Sequence, residues 1–148
     1  MSDRIIVLKG SPIVKEARAA AAGILPGHRL ILSLNAGVLE VGVGGAADED
    51  DPGRKAFARE NDVVGNTAAD VYADNDDVQY VVGAPGDEIQ VRAVASLTWV
   101  TGAPLYAAAA GRVTDVPGST GVAFAPIGYA LSNVTSSAAD DLVPMEVA

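Results

Sequence analysis

Residues 29–43 read RLILSLNAGVLEVGV, and this stretch decides the fold class. Arg29 to Leu34 and Val38 to Val43 are two short runs rich in branched apolar residues. Asn35, Ala36 and Gly37 lie between them, and Asn and Gly both tolerate positive φ. Two strands joined by so short a polar connection predict a β-hairpin.

Working outward, the same grammar recurs. Residues 78–82 (VQYVV) read as a strand, and Ala84–Pro85–Gly86–Asp87 has the Pro–Gly order of a type II turn. Residues 88–95 (EIQVRAVA) alternate polar and apolar as a half-buried strand does, so a second hairpin is predicted over 78–95. Further strand-like pieces at 97–101, 104–108, 111–114, 122–130 and 142–147 are separated by Gly- and Pro-rich turns. Many short strands with frequent turn signals predict an all-β chain, a small barrel or sandwich.

Towards the N-terminus, residues 4–8 (RIIVL) form another strand signal. Residues 13–22 (IVKEARAAAA) are ambiguous: alanine favours a helix, but the helical stripe is absent. Gly23 and Pro26–Gly27 then break the chain, which divides it into an N-terminal arm or first strand (1–25) and a β-barrel or sandwich domain (26–148). Residues 44–56 form a polar acidic loop, and 57–77 read as irregular with a turn or short helix near Thr67–Tyr72.

Composition narrows the function. The 148 residues have no cysteine, which excludes disulfides, thiol catalysis and Cys-ligated zinc. A net charge of −9 argues against nucleic acid and against anionic membrane surfaces as partners. Abundant Asp with only Lys9, Lys15 and Lys55 as lysines suggests a halophilic host, where salt screens carboxylate repulsion. No secretion signal and no run long enough to span a membrane is read, so synthesis in a host cytoplasm is expected. With few aromatics, Trp99 is expected in the core.

Candidate chemistry is sparse. His28, the one histidine, would have to serve as the base of any Ser–His–Asp triad; its place after Pro26–Gly27 predicts a surface turn residue instead. Asp48–Glu49–Asp50–Asp51 and Asp74–Asn75–Asp76–Asp77 lack the EF-hand spacing and read as solvated surface rather than calcium sites. Gly118–Ser119–Thr120–Gly121 lacks the Walker lysine. It resembles the closing motif of trimeric dUTPases, and residues 65–77 resemble that family's uridine-binding hairpin, but the Arg–Ser–Ser phosphate motif is absent. The sequon Asn133–Val134–Thr135 reads as a chance occurrence. No catalytic, cofactor-binding or metal residue is assigned, and the chain is expected not to be an enzyme.

One order of motifs is more informative. Pro26–Gly27 precedes a strand; Phe57 to Asp62, Gly65 and Ala69 to Tyr72 follow; then come Pro85 to Glu88, Gly111 to Val113, Ile127 to Leu131 and a closing strand, Leu142 to Val147. This succession resembles the capsid decoration (cement) proteins of tailed phages and archaeal tailed viruses, over the chain from about Gly23 onward. The resemblance implies a compact β-barrel or sandwich, a homo-oligomer with a trimer favoured, and a seat on the outer capsid surface of a virion. Its implied partner is the major capsid protein, and its role is to stabilise contacts between capsid subunits without a cofactor. In such proteins an N-terminal arm can reach a neighbour, and Ile5, Ile6, Val7 and Leu8 suit that contact because an apolar strand can extend a sheet edge. The alternatives are a nucleotide hydrolase of dUTPase type and a free-standing glycan or host-surface binding module.

Overall fold

The computed structural model describes residues 6–45, 55–117 and 125–148. Among these residues thirteen strands run in chain order: β1 (Val7–Lys9), β2 (Ile13–Ala19), β3 (Leu30–Asn35), β4 (Val38–Val43), β5 (Ala56–Ala58), β6 (Asp77–Val82), β7 (Glu88–Ala93), β8 (Leu97–Trp99), β9 (Pro104–Ala107), β10 (Val113–Thr114), β11 (Gly128–Ala130), β12 (Val134–Ser136) and β13 (Asp141–Val147). Apart from 3-10 turns at Asp62–Val64 and Ala109–Gly111, the described residues have no helix, so the all-β expectation holds.

The hairpin that the 29–43 stretch predicts is β3–β4, paired from Leu30↔Val43 to Asn35↔Val38. Its turn is Ala36–Gly37, with φ of 49° and 81°. Two positive φ values are what a tight hairpin turn needs to match strand twist. The left-handed position falls on Ala36, and Asn35 ends the strand.

The second expected hairpin is corrected. The turn exists: Asp87 N–H donates to Ala84 O at 3.0 Å, and Gly86 has φ +92°. The strands flanking it, β6 and β7, do not pair and belong to different sheets. The reason is that the edges of both strands are already taken by distant segments. β6 lies between β2 and β5. β7 pairs along one side with β13, from Glu88↔Glu146 to Ala93↔Asp141. Its other side is shared out: Gln90 N–H donates to Ile6 O, Arg92 N–H to Gly27 O, and Val94 N–H to Val113 O.

These pairings close the first sheet into a five-strand barrel in the order β7–β10–β9–β11–β13 and back to β7. β1 pairs alongside β7 at Ile89 and Glu88. Its core holds Ile89, Val91, Leu105, Val113, Ile127, Val143, Met145 and Val147, with Trp99 of the β8–β12 ribbon inserted as expected. The second sheet runs β3–β4–β2–β6–β5. It curls until the entry to β3 meets β5, through an Arg29↔Phe57 bridge and the hydrogen bonds Gly27 N–H to Ala58 O and Ala58 N–H to His28 O. Its own core holds Ile24, Leu30, Val41, Tyr72, Val78 and Tyr80.

The segment 13–22, read as ambiguous, supplies β2, an interior strand of the second sheet between β4 and β6.

β5 and β6 form the wall between the two cores. Strand alternation sends Phe57 and Val81 into the first core and Ala56, Ala58, Val78 and Tyr80 into the second. Replacing a fully buried aromatic ring by a methyl group costs about 3–5 kcal/mol. Phe57→Ala is expected to lower stability by that order in urea titration, as one transition for the whole chain; a change under 1 kcal/mol would contradict its place in the wall.

Candidate contact surface and the buried polar junction

The arm residues come first. Ile5 lies outside the described residues. Ile6 is fully buried: its N–H donates to Glu60 Oε2 at 3.1 Å and its carbonyl accepts from Gln90. Val7 pairs with Ile89 and packs against the first core, while Leu8 stays exposed. The strand thus augments an edge of its own barrel, and Leu8 is the described member of the four whose side chain is open to a partner. Burial pushes the Glu60 carboxyl above its ordinary value despite the Ile6 N–H.

His28 is corrected from surface turn to buried junction, only 4% exposed. Its Nδ1 accepts the Leu25 N–H at 3.1 Å, and Nε2 lies 2.9 Å from Asp140 Oδ1. This arrangement fixes the neutral tautomer with its proton on Nε2. Both ring nitrogens are engaged, so no lone pair is left to take a proton from a nucleophile. Asp140 also receives a two-point fork from Arg112, Nε to Oδ1 at 2.8 Å and Nη2 to Oδ2 at 2.9 Å. Arg92 ties three segments together by donating to the carbonyls of Pro26 (2.8 Å), Asp140 (2.6 Å) and Ala68. An open cleft of about 520 Å³ lies beside this junction, lined by Ala68, Gln90, Arg92, Thr135, Ser136 and Asp140 among others.

The sequence signal missed was the role of aspartate. Four times, an Asp side chain accepts the backbone N–H three residues before it: Asp70 from Thr67, Asp76 from Ala73, Asp87 from Ala84, and Asp141 from Ala138. The last three of these turns lead directly into β6, β7 and β13. Short side-chain-to-backbone closures of this kind set the chain direction before a strand. Asp76 in the Asp74–Asp77 cluster is one of them, and no group of three or more potential metal ligands occurs among the described residues. The Asp48–Asp51 cluster and Gly118–Gly121 lie outside the described residues. Asn133 Oδ1 accepts from Thr101 N–H at 2.9 Å and so ties the β12 approach to the turn after β8.

No protein-family model matches the chain, and no curated protein does so either. Among solved structures, the fold is similar to the N base of the head fiber protein gp8.5 of bacteriophage phi29, with a TM-score of 0.59 and 17% sequence identity. The likeness covers 93% of this chain and 95% of that one. At this identity it defines the fold.

The junction has a testable pH signature. Burial holds the His28 imidazole below its ordinary value, outweighing Asp140. Its contribution is therefore complete above the unfolded value of 6.5 and is lost as pH falls below it. The Arg112 hydrogen bonds hold Asp140 down at about 2, from 3.8, so its contribution persists to lower pH and disappears between those values. Glu60, with its pKa raised, acts in the opposite sense and favours the fold as pH falls towards 4.5. Between pH 7 and 5, His28→Gln is expected to show a smaller loss of Tm than the unsubstituted chain. Equal slopes in a pH series of thermal melts would contradict the neutral buried imidazole.

Proposed function

We propose that the chain is a structural virion protein that binds the outer surface of a capsid and stabilises contacts between major capsid proteins, in the manner of a decoration protein. The observation that carries this reading is the shared fold, over nearly the whole of both chains, with the base of a phage head fiber. The order of motifs in the sequence points the same way. The reading includes a homo-oligomer, a trimer by the resemblance, and the major capsid protein as partner.

The physical work is mechanical. Each copy contributes a modest contact, with Leu8 on the exposed side of β1 as one described candidate. Repetition over a symmetric shell turns modest contacts into avidity. The acidic outer surface keeps decorated particles soluble, and at high salt its self-repulsion is screened.

Cryo-electron microscopy of the particles encoded with this gene tests the proposal. Density fitting the two-core fold at regular positions on the outer capsid is the expected result. Complete particles without such density would overturn it.

A further inference from the structure

The outer face of the first barrel carries a cleft that the decoration reading does not use. Ile89, Val91, Val143 and Met145 point into the first core, so strand alternation turns Gln90, Arg92, Leu142, Pro144 and Glu146 outward. Gln90, Arg92 and Leu142 line the cleft of about 520 Å³ beside the junction. The rest of its lining includes Ala68, Ala69 and all three residues of β12. That volume is in the range of sites that hold small ligands.

The charges around the cleft are already matched. Arg92 commits Nε, Nη1 and Nη2 to the carbonyls of Pro26, Asp140 and Ala68, so it is not a bare cation facing solvent. Both Asp140 carboxylate oxygens are engaged, and Asp141 Oδ2 accepts from Ser136 Oγ and from the N–H groups of Ser137 and Ala138. No group of three or more potential metal ligands occurs among the described residues. These features argue against an anion or a metal ion. The remaining chemistry is neutral and mixed: the exposed Thr135 hydroxyl and the Gln90 amide beside the apolar side chains of Ala69 and Leu142. Donors, acceptors and apolar contact without unmatched charge suit a sugar, whose ring presents hydroxyls at its rim and C–H groups on its faces.

A second observation lies on the same outer face. Of the described aromatic residues, Phe57, Tyr72, Tyr80 and Trp99 are buried and Tyr106 is half-buried, whereas Tyr129 is 41% exposed. Tyr129 stands opposite Glu146 on β13 and opposite Pro104 on β9. Tyr106, two positions along from Pro104, is its diagonal neighbour, within reach of an aromatic side chain. Leu142 and Glu146 are four residues apart, about 13 Å at the rise of a strand. One sugar ring does not span that distance, and a short chain of them does.

We propose that this face binds a neutral oligosaccharide, with one ring in the cleft against Thr135 and Leu142 and a later ring stacked on Tyr129. The inference goes beyond the decoration reading, which needs no ligand: it gives the barrel a glycan contact of its own.

The test is amide NMR of the isotope-labelled full chain titrated with maltotriose, cellotriose and triacetylchitotriose, with sodium phosphate as the charged control. At least one trisaccharide is expected to bind with a Kd on the order of 1 mM. The shifts should centre on Thr135, Leu142 and Tyr129, and phosphate should leave these amides in place. Tyr129→Ala, which removes the stacking ring, should weaken binding about threefold to tenfold. Thr135→Val, which keeps the shape and removes the hydroxyl, should weaken it by a similar factor. Both side chains are exposed, so both variants should keep the circular dichroism melt of the unsubstituted chain. Absence of shifts with all three sugars, shifts centred elsewhere, or binding indifferent to both variants overturns the proposal. Perturbation of the same amides by capsid particles and by no sugar would assign the cleft to the capsid contact, and the sugar site then falls.

Discussion

The structure depends on a shared wall. β5 is short and buried on both faces, as are Tyr80 and Val81 of β6: Phe57 and Val81 look into one core, Ala58 and Tyr80 into the other. A strand of period two with both faces buried cannot slip by one residue without exchanging the contents of two cores. That constraint fixes the register of β2 and β5 on β6, and with it the place where the chain crosses from one sheet to the next. It also suits an aromatic-poor chain whose two cores are mostly Ala, Val, Leu and Ile around Phe57, Trp99, Tyr72 and Tyr80. Each core is small, and the wall lets both use the same strands.

Polar groups hold the seam beside the wall. Arg92 leaves β7 and satisfies carbonyls from Pro26, Ala68 and Asp140, three segments far apart in sequence. A buried guanidinium is costly to desolvate unless its donors are met, and here the carbonyls it meets are loop groups that also need partners. His28 and Arg112 then converge on the side chain of Asp140, whose own backbone sits at φ +69°. The cluster is saturated: both imidazole nitrogens and both Asp140 carboxylate oxygens are engaged.

What the sequence could reveal was local. β3–β4 is legible because a two-residue turn decides it, and the all-β class is legible because turn signals recur at short intervals. The 78–95 stretch carries equally good local signals, yet its strands part, because pairing is chosen by distant segments competing for each edge. β2 hides in an alanine-rich run, whose Ala17 and Ala19 are buried in the second core. β5 and β12 are three residues long, too short for a period to show. His28 beside Pro–Gly looks like a turn residue, and its burial is set by Asp140, 112 positions away. The aspartates read as a solvated acidic surface, whereas four of them close turns. That Asp-before-strand spacing was present in the sequence and could have been read.

If the wall makes the two sheets one mechanical body, they should open together. Native-state hydrogen exchange tests this most directly. The account predicts that the core amides of β7 and β13 and those of β2 and β6 exchange through a single global opening with the same free energy and the same denaturant dependence. A lower-energy opening confined to β2, β3, β4 and β6, with the first barrel still protected, would contradict it.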